Sequence, residues 1–584
     1  MAILLWMRAY CAAFCTFMTI KQPIPTVPRP IPPAVVKLLR EAAEAHQAGN
    51  FVQAEGLYRR VLKLDAKQPQ VLFTLGFLQA QRGDYLGAEQ HLREALELNP
   101  GFARGQFNYG NVLVALERFD DALAAFGKAL SLDPTLVEAH LNRGNVLILR
   151  KHYEEAVACF DNAIRIKPNF ALAHGSRAHA LQELGRLTEA LAGCDRALEL
   201  NPGSPELHAS RATILSHLRH HDDAERSISL ALSLRPNSST LHYNHGNILI
   251  EASNYRGAIA AFENAQTHEA DFSSAHLNEG LCRLLLGDTE RGWEKYEYRL
   301  RLPDYIDLKR NFGKPVWSGD SPLQGKTILI HSEQGFGDAL MACRYVPRVA
   351  ALGARVVLEI RPELLRLMGG LDGVSMVIAR GKPIPQFDVH CPIMSLPRAF
   401  KTRLETIPTE IPYLEIPKEN VEFWRSKLGD GRFKVGIAWA GNSSFKSDRD
   451  RSITLKNILP LCSVADATFV SVQKDLRDGD AEILNRSPHI YHLGDELNDF
   501  LDTAAVMKSL DLIISSDTSI VHLAGALGKP VWVLLSFNPD WRWLLERTDS
   551  PWYPTARLFR QTKAGDWNSI VKQARKELAR VLGP

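Results

Sequence analysis

Apolar and small positions follow two different rhythms along this chain. From about residue 35 a small residue recurs every 34 positions, at Ala42, Gly76, Gly110, Gly144, Ala178, Ala212, Gly246 and Gly280. Twelve residues later in each unit stands another, at Ala54, Ala88, Ala122, Ala156, Ala190, Ala224, Ala258 and Gly292. Between them an aromatic or bulky residue recurs at Phe51, Tyr85, Phe119, Tyr153, Leu187, His221 and Tyr255, and Pro100, Pro134, Pro168, Pro202 and Pro236 close five units. This spacing predicts stacked helix–turn–helix units whose small residues let paired helices approach closely. After residue 325 the rhythm changes to short apolar runs separated by helical stretches.

Those runs predict strands at Thr327–His331, Arg355–Ile360, Phe433–Trp439, Thr468–Val472, Leu512–Ile514 and Val531–Leu535. Strands alternating with helices in two successive blocks imply two parallel-sheet subdomains facing a cleft, with ligands beyond the strand C-termini. The expected organisation is an apolar and Pro-rich segment at residues 1–34, a repeat array over 35–302, and a Pro/Gly-bearing junction at 303–325. An N-terminal α/β subdomain at 326–425 and a second at 426–584 follow. Residues 1–20 are apolar, but Arg8 interrupts them and no clean cleavage site follows, which favours a disordered or over-extended start over a targeting segment. Gly287–Trp293 and Tyr296–Leu300 depart from the repeat pattern, and their aromatics predict a helix that packs on the next domain.

The array resembles tetratricopeptide repeats. Such a solenoid leaves a long concave surface for a protein partner. Asn108, Asn142, Asn244 and Asn278 stand two residues before the first small position. An amide can bond both the N–H and the C=O of an extended peptide, and the row resembles the asparagine ladder of O-linked N-acetylglucosamine transferase.

Composition narrows the function classes. Net charge is +3 over 584 residues, which gives no case for nucleic acid. The eight cysteines show no paired spacing, which argues against a disulfide framework or a zinc site and suits a reducing cytoplasm. Two Asp-x-Asp triplets, Asp448–Asp450 and Asp478–Asp480, read as solvated loops, so no metal is expected.

The candidate chemistry lies at two strand-to-helix turns. Gln334, Gly335, Gly337 and Asp338 follow the first strand, and Asp338 is either a first-turn cap or a general base. Ser516, Asp517 and Thr518 open a small-residue helix whose N-terminus suits a diphosphate.

Gly337–Asp338, together with Asp517–Thr518–Ser519 through His522–Leu523–Ala524 and Lys529–Pro530, resembles the ADP-heptose:lipopolysaccharide heptosyltransferases, family 9 glycosyltransferases of the GT-B fold. Glu333–Asp338 and Pro539–Trp543 are similar to a bacterial branch that joins tetratricopeptide repeats to such a domain. The fold implied is an α-solenoid followed by a GT-B-like pair of Rossmann-type subdomains.

The resemblance implies Asp338 as catalytic base, with Asp517, Thr518, Ser519 and His522 on the nucleotide-sugar motif. Arg451 falls near a lysine that neutralises the donor diphosphate, with Lys446 or Arg449 as alternatives, and Gln473 joins the donor side. The activity implied is an inverting, metal-independent transfer without a cofactor, from a nucleotide-diphosphate sugar to a cell-surface glycan or lipid-linked acceptor. It would take place in the cytoplasm, with room for peripheral association with the inner membrane. Transfer to protein, with the repeats holding the polypeptide, and a non-catalytic scaffold are the alternatives.

Overall fold

The computed structural model describes residues 32–303, 310–429, 431–443 and 448–583. The expected N-terminal segment up to residue 31, residues 304–309 at the start of the expected junction, and Lys446 lie outside the described residues. Contacts divide the chain after Pro236 into two units.

The first unit is helical throughout, with twelve described helices running in pairs from Pro33–Gln47 to His221–Leu234. The small positions have a specific counterpart that the spacing alone did not expose. Sixteen residues after each comes a side chain that fills the space it leaves. A methyl added at Gly110 would stand 2.6 Å from the Phe126 ring, and one at Gly144 would stand 2.6 Å from the Phe160 ring. Where the small residue is Ala178 or Ala212, the counterparts are the smaller Cys194 and Ile228, all fully buried or nearly so. The corner between the paired helices is left-handed at Gly49, Gly83, Glu117, Lys151, Gly185 and Arg219, again at 34-residue steps. His140, His174 and His208 each bond the carbonyl of the proline six residues earlier, at 3.0, 2.9 and 2.9 Å.

The second unit opens with two further helical pairs. They are Ser239–Glu251 with Tyr255–His268, and Ser273–Leu285 with α1 (Thr289–Tyr296). The 34-residue pattern continues here, since Gly246 meets the Phe262 ring. Two sheets follow, and all their strand pairings are parallel. The first has the order β3-β2-β1-β4, with β1 Thr327–His331, β2 Arg355–Ile360, β3 Val374–Ala379 and β4 Val389–Pro392. The second has the order β10-β9-β8-β5-β6-β7, with β5 Phe433–Ala438, β6 Ala467–Ser471, β7 Ile490–His492, β8 Leu512–Ser516, β9 Val531–Leu535 and β10 Ala556–Arg560. Counted from its own first strand this is the doubly wound order 3-2-1-4-5-6 of dinucleotide-binding folds.

One apolar core runs from Tyr255 in the helical pairs through both sheets to Leu558. A second core lies between the other face of the second sheet and the C-terminal helix Trp567–Leu582. The α1 helix packs on the sheets as its aromatics predicted. Trp293 Nε1 donates to Thr402 O at 3.0 Å, and its ring meets Trp541 edge-on at 5.1 Å. Arg344 ties the two sheets together by donating to Pro408 O at 3.0 Å and to Trp552 O at 2.7 Å. Among the described residues no helix is long and apolar enough to cross a membrane, and the six described cysteines are free and buried.

The packing of the first unit gives two opposite expectations. Gly144→Ala forces a methyl into the Phe160 ring and should cost about 1–3 kcal/mol by overpacking. Gly127 is helical with nothing within 4 Å of an added methyl, so Gly127→Ala should gain about 0.5–1 kcal/mol. Urea midpoints of the full chain, followed by far-UV circular dichroism, check both. Shifts of the same sign would contradict the interlock.

Candidate functional site

In the second sheet the strand order reverses between β5 and β8, and ligands of such sheets bind beyond the strand ends at that reversal. The loops leaving both strands are held from below. Ser516 Oγ donates to Trp439 O at 3.0 Å and joins the two loops. Thr518 is extended, and its hydroxyl accepts from Ile520 N at 3.4 Å, which caps α2 (Ser519–Ala526). Ser519 is the first helical residue and is half-buried. Gln473, expected on the donor, is instead fully engaged with the chain. Its Oε1 accepts from Trp439 N and Ala440 N, both at 3.1 Å, and its Nε2 donates to Ala440 O at 2.9 Å and Asp475 O at 3.0 Å.

The two Asp-x-Asp triplets are not solvated loops throughout. Asp448 is buried, ion-paired to Arg477 and 3.7 Å from Arg451 Nε, and it accepts from Ser452 Oγ at 2.8 Å. Asp480 is buried and accepts from Trp439 Nε1 at 2.8 Å. Each triplet keeps an exposed member, Asp450 and Asp478, while the other anchors the loop beside the cleft. Arg451 is thus held at the base of the β5 loop, with Gly441 against its guanidinium. Among the described residues no group of three or more His, Cys, Asp or Glu side chains is arranged to hold a metal ion.

The first sheet contributes the facing turn. Gly335 precedes a helix at Phe336–Ala342, and Asp338 reaches back to accept from Gly335 N at 2.9 Å. Its other oxygen is ion-paired with Arg542, from the Pro539–Trp543 segment of the second subdomain. Arg542 also donates to Asp540 Oδ1 at 2.7 Å and to Met341 Sδ at 3.3 Å, and lies over the Trp541 ring at 4.3 Å. Gly337 lets the subdomains close up, since a methyl there would stand 2.6 Å from His522 Cδ2. His522 is accordingly buried, bonded through Nδ1 to Tyr553 OH at 2.9 Å, and stacked on Trp543. Burial, with Arg542, Arg344 and Arg451 adding to it, holds its imidazole well below the ordinary value and therefore neutral.

Asp517 is half-buried at the start of α2. Burial, then the Asp540 carboxylate, pushes its carboxyl up to about 6, against the pull of Trp543, Arg542 and Arg451. The fully buried Trp543 indole N–H stands beside it without a hydrogen bond of good geometry.

The crevice of the first sheet, where its order reverses between β1 and β4, is filled by the helical pairs. Arg299, in the turn Glu297–Arg301 after α1, is wholly buried. It donates to Glu333 Oε1 at 2.9 Å, Ser395 Oγ at 2.8 Å and Glu297 Oε1 at 2.6 Å. Burial pushes the Glu333 carboxyl up against the pull of that guanidinium. The Gln334 amide is satisfied on both sides when its nitrogen faces Asp338 Oδ1 and its oxygen faces Arg299 Nε, each at 3.3 Å, with the Tyr296 hydroxyl between. Arg299, Gln334, Asp338, Arg542 and Asp540 therefore form one polar chain. Sequence reasoning assigned no role to Arg299 or Arg542, although the first lies in a segment singled out for its aromatics and the second in one singled out for its family resemblance.

The asparagines of the repeats are partly engaged within the solenoid. In the first unit Asn108 and Asn142 are buried, and Asn142 Nδ2 donates to Asn111 Oδ1 at 2.7 Å. In the second, Asn278 Nδ2 donates to Asn247 Oδ1 at 2.9 Å, and Asn244 is half-buried. Asn142 and Asn278 thus link successive repeats.

Comparison with known proteins identifies the helical pairs. Tetratricopeptide-repeat families match residues 45–106, 79–126, 137–170 and 243–300, and a TPR repeat family matches 110–149. The array is built of tetratricopeptide repeats, followed by two parallel-sheet subdomains. Protein FlbA of Caulobacter vibrioides (strain ATCC 19089 / CIP 103742 / CB 15) is 27% identical over 322 residues, 49% of this chain and 52% of the relative, so the chain spans about half the length of the curated relative it matches. Among solved structures, YrrB, a TPR protein with an unusual peptide-binding site, is 26% identical with a TM-score of 0.27, over 32% of this chain and 95% of that one. A tetratricopeptide repeat protein from Parabacteroides merdae ATCC 43184 is 18% identical with a TM-score of 0.36, over 43% and 98%.

The Asp517 carboxyl gives a pH-dependent expectation. With its folded value raised from 3.8 to about 6, the protonated form is favoured by folding. That contribution is complete below 3.8 and is lost as pH rises through 6. Asp517→Asn should therefore match the wild type near pH 4 and exceed it by about 1–3 kcal/mol at pH 7–8. Melting curves from pH 4 to 8 test this, and a constant difference would show that the carboxyl is unperturbed.

Proposed function

We propose that the C-terminal half transfers a sugar from a nucleotide-diphosphate donor to a hydroxyl acceptor, with Asp338 as base. The observation that carries this reading is the convergence of two strand-to-helix turns. The capped N-terminus of α2 stands at the reversal of a doubly wound sheet, and Asp338 reaches the same place from the other subdomain. In the transfer the acceptor O–H gives its proton to Asp338 while its oxygen bonds the anomeric carbon. The bond from that carbon to the donor phosphate oxygen breaks, and the electron pair leaves with the nucleoside diphosphate. Helix N–H groups and the arginines beside Asp517 favour that leaving charge. The family 9 resemblance favours a glycan or lipid-linked acceptor reached from the cytoplasm, with the repeats recruiting a protein partner. A protein acceptor held by the repeats is the variant of the same chemistry.

One observation favours a non-catalytic nucleotide-binding scaffold instead, because both Asp338 oxygens already have partners. A panel of nucleotide sugars, assayed by thermal protection and by donor turnover, separates the two readings. Asp338→Asn keeps the size of the side chain and most of the cap. On the enzyme reading donor binding survives and transfer falls by about 10²–10⁴. Unchanged turnover in Asp338→Asn would remove that residue from the reaction. Protection by a donor with no turnover in the wild type would support the scaffold.

A further inference from the structure

The Pro539–Trp543 segment has no assigned part in this chemistry, yet it places a buried cation at the centre of the cleft. Arg542 is 7% exposed and is held by Asp540 on one side and Trp541 beneath. Its remaining Nη2 is paired with Asp338, whose side chain is 20% exposed against 8% for that of Arg542. The neighbouring residue, Trp543, stacks on His522 in the first turns of α2 and carries a buried indole N–H without a good acceptor. Arg542 thus stands between the proposed base and the helix N-terminus that would receive the donor's phosphates. Its charge acts on the Asp517 carboxyl, and the Asp338 carboxylate acts on it in turn.

We propose that Asp338 and the donor diphosphate compete for the Arg542 guanidinium. Nη1 stays on Asp540 as a pivot, Nη2 passes from Asp338 to a phosphate oxygen, and donor binding thereby releases Asp338 to accept the acceptor's proton. The chemistry favours the exchange. A diphosphate offers several anionic oxygens to a planar guanidinium, whereas Asp338 offers one while its other oxygen caps the helix. Asp338 is then blocked as a base until a donor is present, and the leaving group meets its counter-charge before the bond breaks. Arg542 acts as a switch between two partners. The inference rests on the transfer reading, and its test can fail while that reading stands.

The experiment uses the full chain. The probe is whichever of ADP, GDP, UDP or CDP raises the melting temperature most, compared by calorimetry with its own monophosphate. Arg542→Lys keeps the charge and loses the fork, so diphosphate affinity should fall about tenfold or more with the monophosphate little changed. Asp338→Asn removes the competitor, so diphosphate affinity should rise about fivefold or more with the monophosphate again little changed. A purely structural ion pair predicts no such tightening. The Asp338→Asn arm therefore decides the matter even if Arg542→Lys folds poorly. Unchanged or weakened diphosphate binding in Asp338→Asn would overturn the competition and leave nucleotide-sugar transfer intact. Equal losses of mono- and diphosphate affinity in a folded Arg542→Lys would do the same. No protection of the wild type by any nucleoside diphosphate would overturn both.

Discussion

An arginine taken fully out of water needs an acceptor for nearly every N–H it carries, since burial removes several kcal/mol of hydration that only charged or polar partners restore. Arg299 meets that requirement in the crevice of the first sheet, between the loops that leave β1 and β4. Much of the cleft's arrangement follows from this demand. Glu333 can sit buried because Arg299 is there, Gln334 is oriented by Arg299 and the Tyr296 hydroxyl, and Gln334 in turn faces Asp338. The position of the proposed base is thus set partly by side chains from the last helical pair. The geometry also explains the aromatic wall of Trp293, Trp541 and Trp552. It excludes water from a polar chain whose bonds would otherwise be exchanged for solvent.

The two halves of the site are asymmetric in a way that suits charge transfer. On the second subdomain a carboxyl, Asp517, is held partly neutral by burial and by Asp540. On the first, Asp338 is matched by a guanidinium. Neutral His522 lies between the subdomains as packing against Gly337, which accounts for a glycine at that position without reference to nucleotide binding.

The periodic array was legible because a step of 34 repeated in eight registers leaves little freedom. Six strands were legible because Ile330, Val357, Ile437, Phe469, Ile514 and Val533 lie in continuous apolar runs. The four strands that were not are short or carry polar residues. His390 and Pro392 interrupt β4, β7 has three residues, Ser375 lies in β3, and Arg557 and Arg560 flank the buried positions of β10. At the site, the turns were found from capping chemistry, but their partners were not. Arg542 is separated from Asp338 by 204 residues and Arg299 from Ser395 by 96, and no local pattern reports such pairings. Gln473 looked like a ligand-facing group because it ends a strand at the cleft, yet a side-chain amide there serves equally to hold the next loop.

The placement of Arg299 bears on how such a chain can be inherited. A solenoid ordinarily tolerates gain or loss of units, because each repeat touches only its neighbours. Here the final helical pairs are the exception, since their last turn is lodged in the sheet beside Asp338. A crossover placed after Arg301 would deliver a sheet pair with an uncompensated buried Glu333. The final repeats should therefore travel with the sheets as an adaptor, while the repeats ahead of them are free to diversify with each new partner.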